Sequence, residues 1–133
     1  MQTLFGKYLK DTPPKETEVY ELKIVKGKSL PFDSVKVHQR EALLDVETKS
    51  LYHKITDFPI FQGSKTRFTR PKPFDCICFQ GTKAYVVVWF FVPRTKKVFY
   101  KIRIKDFLEL EKNAGRKSMT EKMVKEIGVE IIV

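Results

Sequence analysis

The stretch Glu18-Val19-Tyr20-Glu21-Leu22-Lys23-Ile24-Val25 decides the fold of this chain, because its side chains alternate in character along most of its length. A period of two is typical of a β-strand, in which successive side chains point to opposite faces of a sheet. We predict a strand over residues 17 to 25, with Glu21 and Lys23 on one face. Val19 and Val25 share that face, and the opposite face carries Tyr20, Leu22 and Ile24.

Glu21 and Lys23 place a carboxylate beside an amine, about 6 to 7 Å apart along the strand. This pair suits metal-dependent cleavage of a phosphodiester. The carboxylate can hold Mg²⁺, and the amine can orient the attacking water or steady the charge that builds on the phosphate. A strand with one charged face toward solvent has the same pattern, so Glu-x-Lys alone leaves both interpretations open.

The composition indicates one folded domain over residues 1–133, since 42% of the residues are hydrophobic and eleven are Phe. Lys and Arg number 26 against 16 Asp and Glu, which gives a net charge of +10. Such an excess favours a polyanionic partner, either nucleic acid or, less often, an acidic membrane surface. The composition excludes a disordered tail.

No apolar run reaches the roughly 18 to 20 residues that a membrane span needs, and the longest covers residues 84 to 92. The first residues lack the apolar core of a signal peptide. Cys76 and Cys78 lie two apart on one expected strand, where a disulfide would be strained. We therefore expect reduced core thiols in a cytoplasmic protein without a membrane partner.

The predicted order of elements is mixed, with one sheet flanked by helices, an α/β (α+β) class. Residues 1 to 16 form an N-terminal arm or helix that ends at paired prolines. A helix over residues 34 to 48 has Asp33 as its N-cap, and helices follow near 105 to 112 and at 119 to 127. Ser118 and Glu121 form a capping box for the last helix.

Further strands are expected from apolar runs bounded by turn residues. The turn Gln80-Gly81-Thr82 joins two of them in a predicted hairpin. Trp89, Phe90 and Phe91 are expected in the core or at a dimer face. The strands cover residues 51–56, 74–79, 83–92, 98–104 and 129–133.

The long connection over residues 57–73 is basic, and a loop of this length in a compact domain usually has a function. Cations neutralise phosphates, and an aromatic ring can stack on an unpaired base. A flexible surface segment would have the same composition. The residues that we expect to contact nucleic acid here are Lys65, Arg67, Phe68, Arg70 and Lys72.

A second basic segment follows the first strand. Lys26, Lys28 and Ser29 lie in a turn before the expected helix, whose N-terminal N–H groups attract anions. His38 either is a partly buried helix residue with a local hydrogen bond or lies near the scissile phosphate, and Gln39 can orient water or a backbone phosphate. Solvated turn lysines are the alternative interpretation.

Asp75 is the second candidate metal ligand, because it stands at the mouth of an otherwise apolar strand. Burying an acid there is costly unless something pairs with it. A cation shared with Glu21 would supply that partner, and Mg²⁺ sites commonly use only one or two protein carboxylates. A strand-edge Asp that caps a turn is the competing interpretation.

The motifs Glu21-Leu22-Lys23, Ser29-Leu30-Pro31-Phe32 and His38-Gln39 together resemble the core of the RecU-type Holliday-junction resolvases, members of the PD-(D/E)xK nuclease superfamily. Lys72-Pro73-Phe74-Asp75 is similar to the Lys-Pro-Thr-Asp motif of that family. The resemblance covers residues 18–46 and 70–110. The order departs from the family, because there the Asp strand precedes the Glu-x-Lys strand, so the motifs are permuted here.

The resemblance implies a restriction-endonuclease-like fold and a Mg²⁺- or Mn²⁺-dependent endonuclease that acts as a homodimer. Its expected substrate is DNA, in particular branched DNA such as Holliday junctions. It assigns Glu21 and Asp75 as metal ligands and Lys23 and Gln39 as further catalytic residues. A third acid has only weak candidates in Glu16, Glu18 and Asp57. Because the strand Tyr85–Phe90 has no acid, the alternative is a catalytically inactive nucleic-acid-binding module that retains the fold. A structural protein with an acidic partner would fit the charge alone.

Overall fold

The computed structural model describes residues 1–54 and 76–133 of the chain. The helices are α1 (Gln2–Asp11), α2 (Val37–Thr48), α3 (Ile104–Asn113) and α4 (Glu121–Ile127), and a 3-10 turn covers Phe32–Ser34. The strands are β1 (Glu18–Val25), β2 (Ser29–Pro31), β3 (Leu51–Lys54), β4 (Cys76–Phe79), β5 (Lys83–Phe90), β6 (Val98–Arg103), β7 (Ser118–Thr120) and β8 (Val129–Ile132).

A mixed four-stranded sheet with the order β1-β5-β6-β8 forms the centre of the described part. β1 runs parallel to β5, and β6 runs antiparallel to both of its neighbours. Two short pairs, β2 with β7 and β3 with β4, lie apart from this sheet. The predicted α+β class, with a central mixed sheet flanked by helices, is confirmed.

The two faces of β1 bury different partners, as its alternation predicts. Val25 is buried in a cluster that includes side chains of α2, α3 and α4, and Val19 packs against this cluster. Tyr20 and Leu22 pack on the other face, in a second cluster around Phe5 of α1. Glu21 and Lys23 therefore share the face of the sheet that α2 covers.

β5 is almost entirely buried because β1 and β6 flank both of its edges and helices cover both of its faces. The sequence of a strand in this position is a continuous apolar run, as in Ala84–Phe90. The predicted core positions of Trp89 and Phe90 are confirmed, at 7% exposure each. Phe91 lies beyond the strand and is 41% exposed.

The predicted hairpin through Gln80-Gly81-Thr82 is wrong. β4 pairs antiparallel with β3, in the register Leu51 to Phe79. β5 has no free edge to offer β4, because both of its sides are already hydrogen-bonded in the sheet. The chain still turns tightly between the two strands, where Gly81 has a φ of +60°.

The cysteines of β4 are both free, in line with reduced thiols. Their predicted place in the core is wrong, because Cys76 is only half-buried and Cys78 is exposed. β4 belongs to a two-stranded ribbon outside the central sheet, and its burial pattern shows no fully buried position.

α2 begins three residues later than predicted, and Lys36 is its N-cap instead of Asp33. Asp33 lies in the 3-10 turn, whose first residue, Phe32, is buried to 2% exposure. Val35 is extended and fully buried, so the chain must straighten before the helix can start. The Ser34 hydroxyl donates to the carbonyl of Pro31 at 2.6 Å and stabilises this turn.

The predicted capping box at Ser118 is also wrong. Ser118 belongs to β7 and pairs with Pro31 of β2. The N-cap of α4 is Thr120, whose hydroxyl accepts from the N–H of Met123 at 3.5 Å. Gly128 follows the last residue of this helix, and a Cβ there would lie 2.9 Å from the carbonyl oxygen of Val124.

Candidate active site

Glu21, Lys23 and Gln39 form one polar cluster between β1 and α2. The Nζ of Lys23 lies 2.9 Å from Oε1 of Glu21 and donates to Oε1 of Gln39 at 3.1 Å. The Nε2 of Gln39 donates to the same Glu21 oxygen at 2.8 Å. Three residues that the sequence singled out as catalytic candidates are thus in direct contact, although 16 to 18 positions separate Gln39 from the other two.

The orientation of the Gln39 amide follows from its hydrogen bonds. Its Oε1 also accepts from the backbone N–H of Lys36 at 2.9 Å, which caps the first turn of α2. The carbonyl oxygen therefore faces two N–H donors, and the NH₂ group faces the carboxylate. One side chain consequently fixes the start of the helix and holds the ion pair on the strand.

The cluster is partly open to solvent, with Lys23 18% and Glu21 26% exposed. An ion pair with this exposure retains a stronger electrostatic interaction than one on the open surface. The arrangement leaves an ordered amine beside a carboxylate that solvent can still reach. Chemically, it can hold a cation at the carboxylate and direct an N–H toward an anionic group.

Arg40, next to Gln39 in α2, locks the preceding turn. Its Nε donates to the carbonyl of Val35 at 2.7 Å, and a guanidinium nitrogen donates to the carbonyl of Phe32. The other terminal nitrogen lies 2.6 Å from Oε2 of Glu111 in α3. These contacts hold the end of the Ser29–Phe32 motif in a fixed position relative to the site. The motif therefore has a structural role in the fold.

The remaining described candidates lie around the cluster without joining it. Lys26 and Lys28 are exposed in the turn after β1. Ser29 begins β2 and pairs with Thr120. His38 is exposed on the first turn of α2, so it is not a buried helix residue.

Several predicted site residues lie outside the described residues. They include the second metal-ligand candidate, Asp75, together with Asp57. The rest belong to the basic loop 57–73: Lys65, Arg67, Phe68, Arg70 and Lys72.

The two described candidates for a third acid, Glu16 and Glu18, have other partners. Glu16 pairs with Lys83 at 2.8 Å. Glu18 lies on the opposite face of β1 from Glu21, as predicted, and pairs with Lys101 at 2.7 Å. Burial raises the pKa of the Glu18 carboxyl, but hydrogen bonds from Lys101 and Tyr20 outweigh it, so the pKa is lower than usual.

The donor set can be tested against the divalent metal that the resemblance implies. Among residues 1–54 and 76–133, no group of three His, Cys, Asp or Glu side chains could hold a metal ion. Glu21 offers one hard oxygen donor that solvent can reach. A single carboxylate is enough for a Mg²⁺ ion that keeps waters and substrate phosphate in its shell, so the site fits this metal better than zinc.

Glu47 of α2 is an acid that the sequence analysis missed. Its side chain is 3% exposed, and its Oε1 accepts from Arg103 and from the backbone N–H of Ala84 at 2.9 and 3.1 Å. Lys105 lies 3.6 Å from Oε2. Glu47 ties the end of α2 to the start of β5, and its spacing of four from the buried Leu43 is the signal that could have revealed it.

Comparison with protein-family models, with curated proteins and with solved structures finds no match to this chain. Within the described part of the chain, no helix has the length and apolar character needed to cross a membrane. The resolvase resemblance thus remains an expectation that depends on the motifs themselves.

Proposed function

We propose that this protein is a Mg²⁺-dependent endonuclease that cleaves phosphodiester bonds in DNA, with branched DNA such as Holliday junctions as its substrate. The observation that carries the proposal is the contact of Glu21, Lys23 and Gln39, all within 3.1 Å of a neighbour in the cluster. The motif resemblance assigns the same three residues to one site independently of this geometry. A restriction-endonuclease-like arrangement of the mixed sheet is part of the proposal.

Each residue has a distinct role in the proposed reaction. Glu21, with Asp75, would hold the metal, which lowers the pKa of bound water and neutralises phosphate charge. The Lys23 ammonium donates hydrogen bonds to the attacking water or to a non-bridging phosphate oxygen as charge builds in the transition state. Gln39 keeps the amine and the carboxylate in fixed relative positions. The free cysteines suit the reducing cytoplasm in which we expect the enzyme to act.

The test removes the amine. We expect Lys23→Ala to abolish cleavage of a four-way DNA junction while most of the binding affinity remains, because affinity comes from many phosphate contacts. The matched control is Lys101→Ala. The Nζ of Lys101 lies 2.7 Å from Oε2 of Glu18 on the opposite face of the sheet, and the Lys101 side chain is 20% exposed. The control variant therefore loses a similar ion pair away from the site.

Cleavage rates of both variants are measured at saturating junction with Mg²⁺, and thermal melting verifies that each is folded. Wild-type turnover by Lys23→Ala would refute the assignment. Equal loss in both variants would show that the effect follows from stability and not from the site.

A second candidate function is a nucleic-acid-binding module without catalysis. It is favoured by the absence, among residues 1–54 and 76–133, of three His, Cys, Asp or Glu side chains that could together hold a metal ion. The contacts of the Glu21 Oε1 with Lys23 and Gln39 favour it as well. Binding would then use the basic residues predicted to contact nucleic acid, and the hydrogen-bonded cluster of Glu21, Lys23 and Gln39 would serve only to join β1 to α2.

A metal titration discriminates between the two functions. A nuclease site should show thermal stabilisation by Mg²⁺ or Mn²⁺ of about 3 kcal/mol at 100 times the dissociation constant. This stabilisation should disappear in Asp75→Ala and in Glu21→Gln. A melting temperature of the wild-type protein that does not respond to either metal would favour the binding module.

A further inference from the structure

Two loops meet at one end of the central sheet because β1 and β5 run parallel. The register pairs Val25 with Phe90, so both strands leave the sheet at the same end. The N–H of Phe91 donates to the carbonyl of Val25 at 2.7 Å, which extends the contact beyond the ladder. The turn 26–28 and the loop 91–97 therefore lie side by side, and we call this region the basic end.

The basic end carries cations without acids. Neither residues 22–32 nor residues 76–105 contain an Asp or Glu. Elsewhere in the described chain, eight cationic side chains pair with carboxylates, including Lys83 and Lys101. The cations of the basic end lack such a pair within residues 1–54 and 76–133, and they are Lys26, Lys28, Arg94, Lys96 and Lys97.

An exposed aromatic ring stands among these cations. Phe91 is 41% exposed and packs edge-on against Trp89, with ring centroids 5.2 Å apart. The buried Trp89 holds this ring at the surface. Ile24, which pairs with Trp89 in the sheet, and Val92, the next residue after Phe91, are 45% and 53% exposed. Cations around a supported ring form the combination that binds a nucleic-acid strand through its phosphates and one stacked base.

The loop that carries this ring has an unusual backbone. Arg94 has a φ of +61°, and it is the one residue other than glycine with a positive φ in the described part of the chain. Such a conformation costs energy and persists where the surrounding structure holds it. Here the Thr95 hydroxyl donates to the carbonyl of Val92 at 3.0 Å and closes the turn.

We propose that the basic end binds DNA with an unpaired nucleotide, whose base stacks on Phe91 while its flanking phosphates contact Lys26, Lys28, Arg94, Lys96 and Lys97. This inference rests on the proposed function and specifies its substrate. Lys23 lies two residues before Val25, about 7 Å along β1, on the face that α2 covers, whereas Phe91 packs against Trp89 on the face that α1 covers. A strand that stacks on Phe91 therefore reaches the candidate active site by passing around this end of the sheet. Charge complementarity favours this occupant over a second copy of the chain, which also carries a net charge of +10.

The experiment measures binding in EDTA, so that cleavage plays no part. Fluorescence anisotropy compares a four-way junction that has two unpaired nucleotides at its centre with a blunt duplex of equal length. Phe91→Ala should weaken binding of the junction by about ten- to hundredfold and leave duplex binding within about twofold. Phe91→Trp retains a ring and should bind the junction like the wild type.

The cations are tested with a charge-matched pair of variants. Lys28→Ala/Lys96→Ala should reduce the slope of log affinity against log salt by about one to two. Lys15→Ala/Lys49→Ala removes the same charge at the opposite end of the sheet and should leave the slope unchanged.

Equal effects of these two double variants, or equal binding of both probes by Phe91→Ala, would overturn the inference. A lower molar mass of Phe91→Ala in light scattering, with junction binding unchanged, would overturn it in favour of an interface between copies. If the wild-type protein binds neither probe, both this inference and the proposed function are wrong. Binding of both DNA probes without cleavage in Mg²⁺ would leave this inference standing while the proposed catalysis fails.

Discussion

Gln39 acts as a positioning residue, because all its polar atoms are used within the protein. Its oxygen accepts from Lys23 and from the N–H of Lys36, and its nitrogen donates to Glu21. Both lone pairs of the amide oxygen are occupied by these bonds, while the nitrogen has a second N–H that they do not use. The three bonds favour an indirect role, in which the amide sets the distance between the carboxylate and the amine.

We expect Gln39→Leu to lower the rate of junction cleavage by about ten- to hundredfold, because small displacements of catalytic groups lower reaction rates by about this factor. Loss of the cap on α2 should lower the free energy of unfolding by about 1 kcal/mol. Single-turnover cleavage and urea unfolding measure the two effects separately.

The control is Thr120→Ala, which removes the side-chain cap of α4 at a similar cost in stability. It should cleave at the wild-type rate. If Gln39→Leu also cleaves at the wild-type rate, the cap is the sole purpose of the amide and the positioning role is wrong.

At the scale of elements, local patterns were enough to predict the strand and helix that hold the site. The alternation in β1 gave the correct faces for Glu21 and Tyr20, because a strand between two apolar layers must bury both sides. The contact of Gln39 with β1 was expected only from the motif resemblance. Its hydrogen bonds depend on how α2 crosses the sheet, which no local spacing determines.

The errors concern choices that depend on distant partners. Gln80-Gly81-Thr82 satisfies the local rules for a hairpin, yet parallel pairing with β1 occupies the edge of β5 that β4 would need. Aspartate is a preferred N-cap residue, but the burial of Phe32 and Val35 keeps the chain around Asp33 out of the helix, which begins only at Val37. Long-range packing outweighs residue preference in both cases.

At the scale of the whole molecule, one buried hydroxyl, that of Tyr100, makes the stability of the fold depend on pH. The hydroxyl of Tyr100 in β6 donates to Oε1 of Glu121 in α4 at 2.9 Å. Burial, together with this hydrogen bond, raises the pKa of Tyr100 to about 12. An unfolded tyrosine has a pKa near 10, so between these values the folded state retains a proton that the unfolded state has lost.

Tyr100 therefore stabilises the fold fully below about pH 10, and its contribution is lost as the pH rises toward 12. We expect Tyr100→Phe to lower the free energy of unfolding by about 1 to 2 kcal/mol at pH 8, because the buried hydrogen bond is lost. The difference in the free energy of unfolding between variant and wild type should decrease between pH 10 and 12. Urea unfolding at several pH values measures it, and a constant difference across this range would contradict the assignment.

Because β1 is covered on both faces, deletions and insertions inside this strand disrupt the fold more than those in the segments between helices and strands. Deleting one residue inside the strand would rotate Glu21 and Lys23 toward the rings of Phe5 and Tyr85 and would carry Tyr20 into their place. Deleting two would restore the faces but shift the ion pair one full repeat away from Gln39. Natural insertions, and fusion points chosen by an engineer, are therefore expected in the segment 12–17, where the backbone belongs to no helix or strand, and not in the turn 26–28, which carries Lys26 and Lys28 of the basic end.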